Sequence, residues 1–303
     1  MPRKFEHIFR GERATAVVAV EALIDFIAQS NAQTLMDLKN QIYEVVAEMR
    51  KESQAISLNA GTTLFLKFVT LSSLDEYSDF DKCKKEILDR GRLFIARASN
   101  AWNIIANNAQ SLFFDGDVVL IHGYSRVVCK VLESISRNRQ LTVFVTESSP
   151  MNNGYRTARL LAKSIANLHI ITDSSVASVL PRVSSVLLGA DGITENGGIV
   201  NQVGTFGLAI AAKHLGKPCY VAAESYKFMR YFPLTQQDID QYSEHEVCQP
   251  QLPRDCSECQ SLAGLRQSIV VDYTPPQYLD LLITDIGILT PSAVSDQLIK
   301  LYM

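Results

Sequence analysis

The sequence predicts an α/β chain: an all-helical domain over residues 1–113, followed by a parallel-sheet α/β domain over 114–303. Three observations carry this. Up to about residue 113, apolar residues recur at i, i+3, i+4 and i+7, the spacing of one helix face. From residue 116 onward, short apolar runs alternate with helical patterns, the order of right-handed βαβ units. The chain has 303 residues, 47% hydrophobic and 20% charged, which suffices for two cores and excludes a disordered chain.

The elements follow in order. Val20, Leu23, Ile24 and Ile27 make the first helical stripe. Leu35, Leu38, Ile42, Val45, Val46 and Met49 make the second, and Asp37, Gln41, Glu44 and Glu48 occupy its polar face. "TTLFLKFVTL" is a third apolar segment. Ser78 and Asp81 have the form of a capping box. The stripe Ile87, Ile95, Ala98, Trp102 and Ile105 then predicts a helix over 79–113, about 50 Å long. Six strands are expected at "VVLIH", "LTVFVTE", "HIITD", "SSVLLGAD", "PCYVAAE" and "LDLLITD". Helices are expected at "RVVCKVLESIS", "RTARLLAKSIA" and "FGLAIAAKHLG". The chain closes on "LTPSAVSDQLIKLYM", where Thr290 is the expected N-cap and Pro291 the first helical residue. Residues 235–277 lack periodicity and read as an irregular insertion.

Net charge is −3, which gives no electrostatic basis for a nucleic-acid or membrane partner. The six cysteines form no disulfide framework, and "ATAVVAVEALIDFIA" is too short and too charged to span a bilayer. A protein of the cytoplasm, in the reducing cytosol, is expected.

Ligands of an open parallel sheet bind outside the C-terminal strand ends. Polar residues collect there. His122, Gly123, Tyr124, Ser125 and Arg126 follow the first strand, Thr146, Glu147 and Ser148 the second, Asp191 the fourth, and Glu224 to Lys227 the fifth. Gly204 and Thr205 precede an apolar helix whose free N–H groups and positive dipole end suit a phosphate. Arg126 and Lys227 add charge. The pattern predicts a crevice for a small phosphorylated ligand. Neither a dinucleotide fingerprint nor a P-loop follows any of these strands, so no nicotinamide cofactor is expected.

"GADGITENGGIVNQVGT", "AESYKF", "YSRVV", "TDIGILTPSAVSDQLIKLY" and "LFLKFVTLSSLDEYSDFDKCKKEILDRGRLF" resemble the regulatory-subunit family of eukaryotic translation initiation factor 2B, in its alpha branch. The likeness covers nearly the whole chain except 235–277. It implies a helical N-terminal domain and a Rossmann-like C-terminal domain, a fold shared with isomerases of ribose bisphosphate and methylthioribose phosphate. Those isomerases pair a cysteine, in a T-H-C-N-S type turn, with the aspartate of a G-A-D motif. Here the turn is Ile121-His122-Gly123-Tyr124-Ser125, so Gly123 stands at the cysteine position while Asp191 keeps the aspartate. An Asn–Lys pair of the isomerases matches Asn201 and Gln202, and the lysine of E-T-Y-K-F matches Lys227. Acid–base isomerisation needs two groups flanking the reacting carbons, and glycine supplies none.

The resemblance therefore implies a pocket that binds without catalysis. The expected ligand residues are His122, Gly123, Tyr124, Ser125, Arg126, Glu147, Asp191, Asn201, Gln202, Gly204, Thr205 and Lys227, holding a sugar phosphate or nucleoside monophosphate. It also implies a regulatory subunit of the guanine-nucleotide exchange factor for initiation factor 2. Its partners would be a second copy of itself, the beta and delta subunits, and the phosphorylated alpha subunit of initiation factor 2. The last contact is expected on the helical domain at Thr34, Asp37, Leu38, Gln41, Glu44, Phe65 and Ser73. The rival readings are an active sugar-phosphate isomerase and a free-standing metabolite-binding dimer. His245, Cys248, Cys256 and Cys259 supply four soft ligands in a non-standard spacing, a weak zinc candidate without support from the resemblance.

Overall fold

A computed structural model describes residues 14–53, 55–71, 80–239 and 269–302. Four helices come first: α1 (Thr15–Gln29), α2 (Leu35–Glu52), α3 (Ile56–Leu71) and α4 (Phe80–Ala109). The stripe Val20, Leu23, Ile24 and Ile27 is buried on α1, and Ala16 to Ala19 are buried as well. More than one face is covered because α1 packs against both α3 and α4. Leu23 and Ile27 are fully buried, so truncation of either to Ala would cost about 2–5 kcal/mol. On α2, Leu38, Ile42, Val46 and Met49 face the core, and the Thr34 side chain caps the helix by accepting from the Asp37 N–H. Ser78 of the expected capping box lies outside the described residues.

The α4 stripe departs from expectation at one residue. Ile87, Ala101, Ile105 and Ala109 are buried, whereas Trp102 is 39% exposed. Over 30 residues the apolar line drifts around the helix, and it reaches Ala101 rather than its neighbour. The N-terminal half of α4 packs in the helical core with Leu38 and Phe65. Its C-terminal half, Ile105, Ala106 and Ala109, packs on the sheet.

All six expected strands form: β1 (Val118–Ile121), β2 (Thr142–Thr146), β3 (Asn167–Ile171), β4 (Ser185–Leu188), β7 (Cys219–Ala222) and β10 (Leu281–Thr284). With β11 (Gly287–Leu289) they build a seven-stranded sheet in the order β11-β10-β7-β4-β1-β2-β3, parallel except for β11. Side chains alternate across it. Val119, Ile121, Val143 and Leu187 face α5 (Arg126–Ile135) and the end of α4. Leu120, Val186, Leu188 and Val221 face α8 (Thr205–His214) and α9 (Val294–Tyr302). The remaining helices are α6 (Asn153–Leu161) and the short α7 (Val176–Val179).

Four strands that the sequence reading missed make a second sheet in the order β8-β5-β6-β9: β5 (Gly192–Thr194), β6 (Ile199–Gln202), β8 (Phe228–Met229) and β9 (Val271–Thr274). β5 and β6 are an antiparallel hairpin turning at Asn196–Gly197, a dipeptide that favours such turns. β9 corrects the reading of 235–277 as irregular, since its last residues pair with β6. Thr290 and Pro291 start a 3-10 turn rather than the helix, and the Thr290 side chain makes no capping bond. α9 begins at Val294 and buries Val294 and Leu298, leaving Ile299 half exposed.

Candidate functional site at the switch point of the sheet

From β1 the chain winds outward through β2 and β3; from β4 it winds the other way through β7 and β10. The crevice at that reversal holds a cavity of 260 Å³. Tyr124, Ser125 and Arg126 reach it from the β1 turn, Asp191 from β4, Asn201 and Gln202 from β6, and Lys227 from the turn after β7. The hairpin matters here, because it folds Asn201 and Gln202 back over the strand ends. Thr15 and Ala16 of α1 and Ser57 of α3 close the other side, so the cavity is shared with the helical domain. Arg156 of α6 also lines it, its guanidinium 4.0 Å from the Tyr124 ring centroid. Sequence reasoning missed Arg156, although it lies in the first turn of the helix after β2, where the strand-end rule points.

The charges form one group. Lys227 Nζ donates to the Ala190 carbonyl at 2.8 Å and pairs with Glu224 Oε2 at 2.9 Å. Tyr226 Oη donates to Glu224 Oε1 at 2.8 Å, and an Arg126 guanidinium nitrogen stands 3.6 Å from the same oxygen. Burial alone would raise the Glu224 pKa, but the Lys227 ammonium and the bonds from Lys227 and Tyr226 outweigh it and hold the carboxyl below its ordinary value. Asp191 moves the other way. Burial raises it and Glu224 adds repulsion, against a smaller opposing pull from Lys227. Two neighbouring carboxyls thus differ: Glu224 is the fixed anion and Asp191 the one that holds a proton more readily.

The position that the isomerase pattern gives to a cysteine, partner of the aspartate, is a glycine here. Gly123 has φ +67°, a conformation that side chains rarely adopt. A Cβ built there would collide with Gln202 Oε1 and lie 3.2 Å from Ser148 Oγ. Ser148 Oγ donates to the same Gln202 oxygen at 3.1 Å. Gln202 therefore fills the space that a side chain at 123 would need. The nearest thiol in sequence, Cys129, is buried in the α5 core, where burial pushes its pKa up to about 12.

His122 turns away from the cavity. Its Nε2 lies 2.8 Å from the Val203 carbonyl, which can only accept, so Nε2 carries the hydrogen. Thr146 Oγ1 donates to Nδ1 at 2.6 Å. Burial lowers the His122 pKa, against smaller opposing effects from Val203 and Asp173, in keeping with this neutral form. The ring packs beneath Gly204, which has φ +101° and would meet His122 Cε1 with a Cβ at 2.8 Å.

The expected phosphate seat at Gly204 and Thr205 is already occupied. Asp272 Oδ2, delivered by β9, accepts from the N–H groups of Gly204 at 2.8 Å and Phe206 at 3.0 Å. Thr205 is fully buried, its hydroxyl donating to the Gln202 carbonyl and accepting from Asn201 Nδ2. A phosphate there would face a carboxylate with its donors taken. Burial raises the Asp272 pKa to about 7 despite the two N–H bonds. Glu147 is half-buried behind the β1 turn and does not line the cavity. Of the expected ligand residues, Tyr124, Ser125, Arg126, Asp191, Asn201, Gln202 and Lys227 come together; His122, Gly123, Glu147, Gly204 and Thr205 do not line the cavity.

On the helical domain, Asp37 and Glu44 are exposed and Gln41 half-buried, whereas Leu38 and Phe65 are fully buried. These two support the α2 face from beneath and cannot present it. Ser73 lies outside the described residues, as do His245, Cys248, Cys256 and Cys259. Among the described residues no group of three His, Cys, Asp or Glu side chains is arranged to hold a metal ion.

The fold and the cavity define a class: Rossmann-like proteins with a helical domain and a polar crevice at the switch point. Comparison with known proteins narrows it. The chain belongs to the initiation factor 2 subunit family, whose sequence signature matches residues 9–291. It is 39% identical to the translation initiation factor eIF2B subunit alpha of Dictyostelium discoideum, covering 99% of this chain and 95% of that one. Identity to the protein of the same name from Caenorhabditis elegans is 34%, covering 97% of each. The ribose 1,5-bisphosphate isomerase of Archaeoglobus fulgidus is 29% identical over 88% of this chain and 84% of its own. Among solved structures, the translation initiation factor eIF-2B of Pyrococcus horikoshii matches with a TM-score of 0.71 at 26% identity, covering 96% of this chain and 98% of that one. A chain of the tetrameric eIF2B-beta2-delta2 complex from C. thermophilum shares the fold with a TM-score of 0.73 at 21% identity, covering 95% and 88%.

Proposed function

We propose that the chain is a non-catalytic regulatory subunit of the eIF2B exchange assembly and acts in translation initiation in the cytosol. Its relatives named as alpha subunits, alike over nearly the full length, support the regulatory role. The fold shared with the beta–delta complex supports association with other subunits of that assembly. In this reading the Rossmann-like half forms a homodimer that joins two subcomplexes through beta and delta subunits. The exposed polar face of α2, at Thr34, Asp37, Gln41 and Glu44, contacts phosphorylated initiation factor 2. The switch-point cavity holds a phosphorylated sugar or nucleoside monophosphate through Ser125, Arg126, Arg156, Asn201 and Lys227.

One observation carries the non-catalytic part: Gly123, in a left-handed conformation, has its side-chain space filled by Gln202. Among the described residues, Asp191 then lacks the thiol partner that the isomerase pattern pairs with it. Asp191, Asn201 and Lys227 in one cavity, with an isomerase relative, favour a second reading as an active sugar-phosphate isomerase. Incubating the purified protein with ribose 1,5-bisphosphate separates the two. No turnover is expected. Turnover that disappears in Asp191→Asn would establish the isomerase instead. Affinity purification is expected to recover other exchange-factor subunits; recovery of the chain alone would remove the assembly role.

A further inference from the structure

Charge is spread unevenly along the chain. Residues 118–172 hold seven Lys and Arg but only two acids, Glu133 and Glu147, in a protein of net charge −3. The surplus comes to the surface on two neighbouring helices. On α5 and the turn after it, Lys130, Glu133 and Arg137 stand at i, i+3 and i+7, the spacing of one helix face. On α6 and the turn after it, Arg156, Arg159 and Lys163 repeat that spacing. All five cations are exposed. Glu133, the carboxylate among them, is held by Lys130 Nζ at 2.9 Å. α4 also packs against α5 and adds no acid here, since none stands between Asp89 and Asp115.

α5 and α6 pack together and border a cleft of 460 Å³. Lys130, Arg137 and Lys163 line it with Ser136, Ser164 and Leu160, and Leu160 packs on the core beneath. Cations gathered around an apolar side chain suit a segment that carries both carboxylates and apolar residues. A long polyanion suits the face less well. Once past the patch it meets a surface whose balance is acidic, because the remainder of the chain carries the compensating negative charge.

We propose that the α5–α6 face is a docking surface for an acidic protein segment. Carboxylates of the segment pair with Lys130, Arg137, Arg156, Arg159 and Lys163, and an apolar side chain sits on Leu160 between them. Of these residues only Arg156 also lines the switch-point cavity, so the surface stands whether or not that cavity holds a ligand. Exposed ion pairs are weak one by one, but cations gathered on one face steer an acidic partner and set its register.

The full chain is titrated at about 0.01 M salt, where charges act over about 30 Å, with three fluorescein-labelled probes. These are a peptide repeating Glu-Glu-Leu, the same peptide with Gln for Glu, and oligouridine of equal length. The Glu peptide is expected to bind about ten-fold tighter than either other probe and to weaken steeply as salt rises. Arg137→Glu with Lys163→Glu is expected to weaken it about ten-fold with little change in melting temperature. Lys51→Glu with Lys85→Glu makes the same change of net charge at exposed positions outside the patch, and is expected to leave binding within about three-fold. No binding of the Glu peptide, equal binding of the Gln peptide, or an equal loss in both variants overturns the proposal. Oligouridine that binds as tightly as the Glu peptide and is released by the Arg137 and Lys163 substitutions also overturns it, and makes the face one for nucleic acid.

Discussion

At the scale of single residues, the proposed loss of catalysis rests on two positions that touch. Gly123 and Gln202 are distant in sequence, and each reads as a lone departure from the isomerase pattern. In the fold one occupies the space the other vacates. Returning the thiol alone should therefore fail. Gly123→Cys is expected to gain no isomerase activity and to lose about 1–3 kcal/mol of stability from the left-handed backbone, while the Gln202 side chain shifts its flexible end aside. Thermal unfolding beside an isomerase assay tests this; turnover without loss of stability would mean that the cavity tolerates a side chain at 123.

Asp272 gives a prediction with a pH sign. Its folded pKa, about 7, lies above the ordinary aspartate value. Between roughly pH 4 and 7 the unfolded chain has lost a proton that the folded chain keeps, so this residue's contribution falls as pH rises through that window. Asp272→Asn removes the titration and keeps an acceptor for Gly204 and Phe206. Relative to the parent, the variant should gain in melting temperature on going from pH 5 to pH 8. An identical pH dependence in both proteins would overturn this account. The residue-scale site was half legible in sequence. Strand-end polarity locates Tyr124, Ser125, Arg126, Asp191 and Lys227. It misplaces Gly204 and Thr205, because what caps their helix arrives from 68 residues away and no local pattern announces it.

At the scale of elements, periodicity worked where burial is one-sided. The α2 stripe and the six expected strands are recovered because each shows a clean face or a short apolar run. β5, β6 and β8 escaped because they have two to four residues, and Gly192, Gly197 and Gly198 make the β5–β6 stretch look like loop. The Asn196–Gly197 turn between Ile193 and Ile199 was the available signal. The amphipathic α2 also carries the partner proposal. Its core side is fixed by Leu38, Ile42, Val46 and Met49, so changes on the opposite side leave packing intact. Asp37→Lys together with Glu44→Lys should shift stability by no more than about 0.5 kcal/mol per site, allowing for the lost Gln41–Asp37 bond at 3.1 Å. The same pair should weaken capture of phosphorylated initiation factor 2 several-fold. Unchanged capture would move the contact elsewhere.

At the scale of the whole molecule, the sequence divides near residue 113, where the helical period gives way to strands. The packing divides elsewhere. The 30 residues of α4 serve two cores, Ile87 and Cys83 with the helices, Ile105, Ala106 and Ala109 against the sheet. Such sharing is invisible to a pattern reader, since one amphipathic stripe looks the same whichever neighbour covers it. α1 adds a second tie, its N-terminal Ala16 and Val17 packing with the sheet's other face while its later turns fill the helical core.

The double duty of α4 makes it a keel. A chain ended at 113 would leave Ile105, Ala106 and Phe113 bare to water, and one begun at 114 would leave a strip of sheet undecked. Either piece made by itself should precipitate or stay molten, while the two produced together should reunite into a soluble pair. Were each half to melt sharply on its own, the vessel would prove to have two hulls.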